Sequence, residues 1–262
     1  MDLDLNNKVI IVTGGARGIG EGIVRVLADE GATVVIVGRN DSDNRKLKEE
    51  IEAGGGQAYS IEAELNDPES PERVVQEVVQ KYGRIEGLVN NAGVNDGVGL
   101  ESGNYERFME SLHRNLVHYY LMAHFSLPWL KTSKGAIVNI SSKTAETGQG
   151  NTSAYAAANG GRNAMTREWA VELLKYGIRV NSIIVAECWT PQYDSWLRTL
   201  NNPGEKLNEI ISKIPLENRM TTPAEIANAV AFLLSEKSSH TTGQLVHVDG
   251  GYVHLDRALA NA

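Results

Sequence analysis

The sequence predicts an α/β protein with one doubly wound parallel sheet, and three observations lead to this fold class. Short apolar runs alternate along the whole chain with longer segments in which apolar residues recur every three or four positions. The short runs are rich in Val and Ile, as is typical of parallel strands buried on both faces. The first run leads directly into a glycine-rich turn. Right-handed strand–helix–strand units therefore predict a sheet of about seven strands with helices on both faces.

The elements follow in order along the chain. The predicted strands are Lys8–Val12, Thr33–Val37, Ala58–Ile61, Gly87–Val89, Ala136–Ser141, Arg179–Ile184 and Gln244–Val248. After the first strand, Ile19, Ile23 and Leu27 recur every four residues and Gly31 stands where a helix C-cap is typical. The other predicted helices are Pro71–Tyr82, Tyr105–Leu130, Ser153–Tyr176 and Pro223–Leu234. Since no linker separates these elements, residues 1–262 are predicted to form a single domain.

The least regular segment of the chain is 187–215, which holds Trp189, Trp196 and two prolines before its final Pro215. In open α/β sheets, ligands bind beyond the carboxyl ends of the strands, and a late irregular segment is well placed to cover that cleft. We therefore interpret 187–215 as a substrate lid.

Composition excludes several classes of protein. The chain has 25 Lys and Arg against 33 Asp and Glu, a net charge of -8, which argues against a nucleic-acid partner. Its one cysteine, Cys188, rules out an internal disulfide, and the six histidines show no metal-ligand spacing on one helix face, so no metal is expected. Neither a signal peptide nor an apolar run of about 20 residues is apparent. We expect a cytoplasmic protein with no membrane partner.

The glycine-rich turn spans Thr13–Gly20, between the first predicted strand and the first predicted helix. Gly14, Gly18 and Gly20 allow backbone N–H groups and the positive helix end to approach a pyrophosphate closely. Arg17 and Ile19 stand within the same turn. In this strand–turn–helix context the spaced glycines indicate dinucleotide binding.

The end of the second strand bears on the choice of cofactor. The sequence there reads Val37-Gly38-Arg39-Asn40, with glycine where an acid that binds the adenosine ribose often stands. Arginine grips a 2′-phosphate with parallel hydrogen bonds, and Arg17 is placed to help. NADP is therefore favoured over NAD, and the alternative is that Arg39 is a solvated residue at a helix start.

Five motifs in order resemble the short-chain dehydrogenase/reductase family over essentially the full chain. They are the Thr13–Gly20 loop, Asn90-Asn91-Ala92-Gly93 after the fourth strand, Asn115 in the fourth helix, Asn139–Ser142 at the end of the fifth strand, and Tyr155, thirteen residues after Ser142. The resemblance implies a Rossmann-type fold and an NAD(P)-dependent oxidoreductase. It also implies that Tyr155 exchanges the hydroxyl proton while Ser142 binds the substrate oxygen.

The resemblance assigns the remaining site residues. The residues it places in catalysis are Asn115, Ser142, Tyr155 and Asn159. Those it places at the cofactor are Gly14, Arg17, Gly18, Ile19, Gly20, Arg39, Glu64, Leu65, Asn91, Ala92, Gly93, Tyr155, Asn159 and Thr190. The family also implies a homotetramer or homodimer built through the helices predicted over Tyr105–Leu130 and Ser153–Tyr176, with Leu255–Ala262 reaching towards a neighbouring subunit.

Asn159 departs from the family pattern, which has a lysine one helical turn after the tyrosine. That lysine binds the nicotinamide ribose and its charge favours the phenolate, whereas asparagine is neutral. Three interpretations stay open: an active variant in which another cation substitutes, a disabled dehydrogenase that binds its ligands, or a regulatory protein that retains only the fold. Arg162 and Lys143 are the candidate substitutes, although such residues more often contact a subunit or solvent.

The substrate segments resemble the L-fucose dehydrogenase subgroup of the family. The similar segments are Ala186–Trp196, Ser142–Ala145 and Thr147–Ser153. The predicted substrate-binding residues are Ser142, Lys143, Gln149, Tyr155, Glu187, Trp189 and Trp196. Polar groups combined with flat aromatic faces suit a small aldose or polyol, which is oxidised at the anomeric hydroxyl to a lactone. The alternatives are other ketone, polyol or sugar-acid substrates, and tryptophans that merely pack the lid against the core.

Overall fold

Seven parallel strands form one sheet in the order β3-β2-β1-β4-β5-β6-β7 in the computed structural model, which describes residues 2–255. The strands are β1 Val9–Thr13, β2 Thr33–Gly38, β3 Gln57–Glu62, β4 Gly87–Asn90, β5 Ala136–Ser142, β6 Arg179–Val185 and β7 Leu245–Val248. The helices are α1 Gly18–Asp29, α2 Asp41–Ala53, α3 Ser70–Tyr82, α4 Tyr105–Leu112, α5 His118–Ser133, α6 Ser153–Leu173, α7 Pro191–Leu197, α8 Pro203–Ile211 and α9 Pro223–Leu234. The predicted fold class is confirmed.

The sheet separates two apolar cores. Val12, Ile36 and Val138 point to the side covered by α1 and α9, whereas Val35 and Leu88 point to the side covered by α3, α5 and α6. Each of these side chains is fully buried, which contributes about 1.5–3 kcal/mol relative to exposure. Burial on both faces explains why the strands read as continuous apolar runs.

Three predictions about the elements need correction. The predicted helix Tyr105–Leu130 is interrupted by a π-helical turn, His113–Val117, which separates α4 from α5. The helix predicted over Ser153–Tyr176 ends at Leu173 and continues as a short 3₁₀ turn. The segment 187–215 is not irregular throughout, because it contains α7 and α8.

Helix α2 was absent from the sequence prediction. It is highly charged, and its buried face consists of Asn44, Leu47 and Ile51. Leu47, Ile51 and Ala53 are the only apolar residues of this helix and give too weak a periodic signal, although Asn40 caps it by accepting a hydrogen bond from the backbone N–H of Asp43 (3.2 Å).

The strand order reverses between β1 and β4, and this reversal places the cleft. Their carboxyl ends, Thr13 and Asn90, lie side by side, and β5 ends next to them at Ser142. In doubly wound sheets, the crevice at such a switch point is where dinucleotides bind. Among the described residues, no helix combines the length and apolar character needed to cross a bilayer. Of the predicted Leu255–Ala262 contact, residues 256–262 lie outside the part that the structure describes.

Candidate active site

The glycine loop is locked to the loop after β4 by hydrogen bonds. Thr13 Oγ1 accepts from the backbone N–H groups of Asn91 (2.9 Å) and Ala92 (3.1 Å). Asn91 Nδ2 in turn donates to the carbonyl oxygens of Thr13 (2.9 Å) and Gly14 (3.2 Å). These hydrogen bonds bring together the predicted cofactor residues that follow β1 and β4.

The glycines of this loop hold open the space that a pyrophosphate needs. Gly14 and Gly18 adopt positive φ angles of 62° and 58°, which side chains disfavour. A Cβ on Gly20 would lie 2.0 Å from the carbonyl oxygen of Gly14. Arg17, at the N-cap of α1, makes no side-chain cap, so its side chain does not compete for the first backbone N–H groups. The residues present therefore fit a nucleotide phosphate.

The predicted adenosine end is exposed and carries both arginines. Arg39 is 78% exposed in its side chain and lies 3.9 Å from Glu64. Arg17 Nη2 lies 2.6 Å from Asp43 Oδ2, a partner supplied by the helix that sequence reasoning missed. Leu65 is buried within the core, so its predicted role at the cofactor is limited to the backbone and the edge of the side chain.

Thr190, at the start of α7, lies against the glycine loop. Its hydroxyl caps α7 by accepting from the backbone N–H of Tyr193 (3.2 Å). A Cβ on Gly18 would lie 3.3 Å from the Thr190 side chain. The lid and the glycine loop therefore contact each other.

The catalytic candidates converge at the ends of β5 and α6. Ser142 ends β5, and its Oγ accepts from the backbone N–H of Thr144 (3.2 Å). Tyr155 lies half-buried in the first turn of α6 and its phenol has no hydrogen-bond partner within residues 2–255. A partly exposed hydroxyl without a protein partner is available to a substrate. The fold therefore supplies Ser142 and Tyr155 from neighbouring elements.

Asn115 holds the loop after β4 in place. It lies in the π-helical turn, a distortion that is frequent at functional sites. Its Oδ1 accepts from the backbone N–H of Val94 (2.8 Å), and its Nδ2 donates to the carbonyl oxygen of Ser111 (3.0 Å). With its amide used in this way, Asn115 is a positioning residue.

Arg162 is buried beside the site, contrary to the expectation of a surface or subunit-contact residue. It is 2% exposed, and its Nε donates to the carbonyl oxygen of Asn115 (2.6 Å). Its Nη1 donates to the carbonyl oxygen of Ile140 (3.1 Å) and to Oδ1 of Asn159 (3.0 Å). Its Cζ lies 4.2 Å from the ring centroid of Tyr119. The guanidinium thus fills the space beside Asn159.

The position of Arg162 also explains a glycine in the loop after β4. A Cβ on Gly93 would lie 2.8 Å from Arg162 Nη2 and 2.9 Å from Asn115 Oδ1. The guanidinium therefore lies directly against the segment that the family motif assigns to the cofactor.

The charge of Arg162 acts on its neighbours. No carboxylate lies within ion-pair distance of Arg162 in the described part of the chain. The pKa of His118 is lowered from 6.5 to about 4, first by burial and then by the positive charge of Arg162. Burial raises the pKa of Tyr119, and Arg162 opposes that rise. A buried, uncompensated cation therefore sets the electrostatics around Asn159.

The substrate side of the cleft contains a buried ion pair. Lys143 Nζ pairs with Glu187 Oε1, and the two side chains are 8% and 14% exposed. Lys143 also lies 4.1 Å from the ring centroid of Tyr252. Burial and a hydrogen bond to Glu187 raise the pKa of Tyr193. Lys143 is therefore not a solvated residue, which leaves the substrate-facing role predicted for it. Tyr193 belongs to the aromatic residues of the Ala186–Trp196 segment that the sequence already indicates, whereas Tyr252 is a neighbour of Lys143 that the sequence did not single out.

The aromatic and polar residues of the lid occupy more open positions. Trp189, Trp196 and Gln149 are exposed, and Trp196 packs edge-on against Tyr193 with ring centroids 5.3 Å apart. Each tryptophan is 43% exposed, so neither is fully packed against the core. Burial raises the pKa of Cys188 to about 12, which fits a small packing residue.

Comparison with known proteins gives consistent matches along almost the whole chain. A family model described as enoyl-(acyl carrier protein) reductase matches residues 14–253. An L-fucose dehydrogenase of Bos taurus is 35% identical over 245 residues, 93% of this chain and 88% of that protein. A 3-oxoacyl-acyl-carrier-protein reductase FabG of Thermotoga maritima is 35% identical over 250 residues, 95% of this chain and 99% of that protein.

Solved structures show the same fold. Cj0485 dehydrogenase has a TM-score of 0.94 at 46% identity and covers 99% of each chain. Thermoplasma acidophilum aldohexose dehydrogenase, in ligand-free form, has a TM-score of 0.87 at 30% identity and covers 97% of each chain. Together with the motifs and the strand order, these matches show that the chain belongs to the short-chain dehydrogenase/reductase family of oxidoreductases, whose members use NAD(P).

Proposed function

We propose that the protein is a sugar dehydrogenase that oxidises the anomeric hydroxyl of a small, L-fucose-like aldose to a lactone. The observation that carries this proposal is the buried Lys143–Glu187 pair beside Ser142, together with the exposed aromatic rings of the lid. An ammonium donates to sugar hydroxyls, a carboxylate accepts from them, and aromatic faces contact the apolar side of a sugar ring. An acyl chain would find few aliphatic partners there. The relatives that act on sugars support the same substrate class.

Each catalytic candidate has a role in that reaction. Ser142 binds the reacting oxygen, and Tyr155 takes the hydroxyl proton during oxidation and returns it during reduction. Asn115 positions the loop after β4. Bound NAD(P)⁺ supplies the hydride acceptor, so the bond that breaks at C1 is a C–H bond and the product is the lactone.

The cofactor site favours NADP in this proposal. Gly14, Gly18 and Gly20 form the proposed pyrophosphate loop, and Thr190, which lies against Gly18, matches the threonine that binds the nicotinamide carboxamide in the family. Arg39 is highly exposed and only loosely paired, so its guanidinium is free to exchange Glu64 for a 2′-phosphate.

Arg162, and not Lys143, supplies the positive charge that Asn159 lacks. The Lys143 ammonium is neutralised by Glu187, whereas Arg162 is an uncompensated cation hydrogen-bonded to Asn159 Oδ1. Its positive charge favours the phenolate form of Tyr155, which is the form that accepts the hydroxyl proton.

Assembly into a homotetramer or homodimer is part of the proposal. Tyr120 on α5 and Val171 on α6 are large apolar side chains that stay exposed in the single chain, as does Leu174 just beyond α6. Apolar residues clustered on the two long helices are typical of an interface between subunits. Light scattering coupled to gel filtration tests it, because a monomer would contradict this assignment.

Initial-rate assays test the main proposal. L-fucose, D-arabinose and L-galactose are each assayed with NAD and with NADP, and a 3-oxoacyl thioester is assayed with the reduced cofactors. Turnover of at least one sugar, with Tyr155→Phe inactive but still binding cofactor, is expected. Turnover of the thioester alone would overturn the sugar assignment.

The alternative function is a protein that binds cofactor and turns over slowly or not at all, and Asn159 is the observation that favours it. Tight cofactor binding without turnover of any substrate would establish it. The Asn159→Lys variant then distinguishes a disabled enzyme from a regulatory protein. Restored turnover indicates a disabled enzyme, and continued inactivity indicates a regulatory protein.

A further inference from the structure

Three metal-ligating side chains from separate parts of the chain converge next to the substrate cleft. Glu146, His247 and His254 each offer one ligand atom, and these atoms lie within 4.8 Å of one another. Glu146 Oε2 lies 2.9 Å from His247 Nε2. The rings of His247 and His254 meet edge to face with centroids 4.3 Å apart. The cluster brings together two imidazoles seven residues apart and a carboxylate about a hundred residues before them in the sequence.

The backbone fixes two of these residues firmly. Glu146 directly follows a 3₁₀ turn, Lys143–Ala145, and its own N–H donates to the carbonyl oxygen of Lys143 (2.8 Å). His247 lies in β7, where it is paired in register with Ile184 of β6. Both anchors belong to the sheet end that carries Ser142.

A tight turn returns His254 onto His247. Gly250 and Gly251 adopt positive φ angles of 63° and 82°. Buried Asp249 accepts from the backbone N–H groups of Gly251 (2.8 Å) and Val253 (2.9 Å). The turn is therefore held by a side chain that water does not reach, and the approach of the two histidines is a consequence of backbone structure.

We propose that Glu146, His247 and His254 form a binding site for a divalent transition-metal ion such as Zn²⁺. Two imidazoles and a carboxylate are ligands that zinc prefers, and with neutral histidines the site carries the negative charge of Glu146. Zinc–ligand distances of about 2.0–2.2 Å place tetrahedral ligands about 3.3–3.6 Å apart, so the three ligand atoms, which lie within 4.8 Å of one another, need only a small adjustment to bind an ion. His254 is exposed, so its side chain is the one that adjusts, and the fourth position stays open to water.

The location suggests that a bound ion would stabilise the arrangement of the segments around the cleft. Glu146 lies three residues beyond Lys143, and His254 lies two residues beyond Tyr252, whose ring covers the Lys143 ammonium. A bound ion would join the segment after Ser142, β7 and the turn after β7 at the mouth of the cleft. Since none of its ligands belongs to the proposed catalytic set, the site is independent of the sugar assignment.

Calorimetric titration with ZnCl₂ tests the site, using full-length protein freed of any affinity tag and treated with chelator. One Zn²⁺ per chain is expected, and His254→Ala and Glu146→Gln should each weaken binding more than ~10-fold. His240→Ala, which removes an exposed histidine outside the cluster, should leave the affinity unchanged.

Two further readouts keep the test decisive. Co²⁺ bound to the wild-type chain should give the visible absorption of a tetrahedral site with nitrogen and oxygen ligands, and this band should vanish in His254→Ala. Zn²⁺ should raise the melting temperature of the wild-type and His240→Ala proteins but not of His254→Ala. Absence of binding, or binding that survives both ligand substitutions, would overturn the site.

Discussion

Around the glycine loop, β1 and β4 are joined by neutral hydrogen bonds to backbone atoms, as in the Thr13–Asn91 contacts. Beyond β5, by contrast, charged side chains pair with each other, as Lys143 does with Glu187. The cofactor half is thus built from backbone geometry and the substrate half from charge. Short sequence motifs therefore predict the cofactor half well and the substrate half poorly.

The largest expected effect comes from filling the backbone space of the cofactor half. Gly20→Ala should weaken cofactor binding at least ~100-fold, because its Cβ would overlap the Gly14 carbonyl oxygen at 2.0 Å. Fluorescence titration with reduced cofactor measures this. The matched control is Gly160→Ala in α6, which has open space around its Cβ and should gain about 1 kcal/mol of stability. If Gly20→Ala bound the reduced cofactor with unchanged affinity, the glycine loop would not be part of the cofactor site.

Replacing the buried Arg162, which lies between the cofactor half and the substrate half, should have the next largest effect, a loss of kcat. Arg162→Met should lower kcat about 30–100-fold near neutral pH and move the rise of the pH–rate profile to higher pH, because the phenolate form of Tyr155 loses a stabilising positive charge. Arg162→Lys should recover part of the rate.

Arg167→Met, which removes an exposed arginine of the same helix, is the control. Thermal melts separate a folding defect from a catalytic one. A lowered kcat with an unmoved pH profile would assign Arg162 a purely structural role.

The burial of His118 beside Arg162 predicts how the stability of the protein depends on pH. The pKa of His118 is lowered from 6.5 to about 4, so the unfolded chain binds a proton that the folded chain excludes. The stabilisation is complete above pH 6.5 and is lost as pH falls towards 4, which amounts to about 2 kcal/mol between pH 7 and 5. Urea unfolding at both pH values should show this loss in the wild type and in His240→Gln. His118→Gln should lack it, and equal losses in all three proteins would contradict the assignment.

Breaking the ion pair should affect the substrate half alone. Glu187→Gln should raise the KM for the preferred sugar about 10–30-fold, because a hydrogen bond to a charged group contributes about 1.5–3 kcal/mol. Affinity for the cofactor should stay the same. Lys143→Met should give a similar rise, and a weakened cofactor affinity in either variant would show that the two halves are not separable in this way.

The smallest expected effect concerns the choice of nucleotide. Arg39→Ala should lower the ratio of kcat/KM for NADP over NAD about fivefold, since an exposed charge contributes about 1 kcal/mol. Arg45→Ala, which removes an exposed arginine of α2, should leave the ratio unchanged. An unchanged ratio in Arg39→Ala would favour the solvated helix-start interpretation.

The sequence by itself determined the fold class, the succession of the seven strands along the chain and the glycine loop. Apolar periodicity and glycine conformation are local properties, so they can be read from short segments. Helix α2 escaped detection because its apolar residues are sparse, and the π-helical turn escaped because nothing in the local pattern of Tyr105–Leu130 marks the extra backbone residue.

Only the tertiary structure decided how charges are paired. It buried Arg162 against Asn159, closed Lys143 onto Glu187, and folded His254 back onto His247 beside Glu146. The Arg162–Asn159 contact joins neighbouring turns of α6, but the burial of Arg162 comes from its contacts with Asn115 and Tyr119, and the other two contacts join different elements. Electrostatic energy depends on distance and burial, neither of which is local in sequence, so only the fold shows which cation is buried beside Asn159.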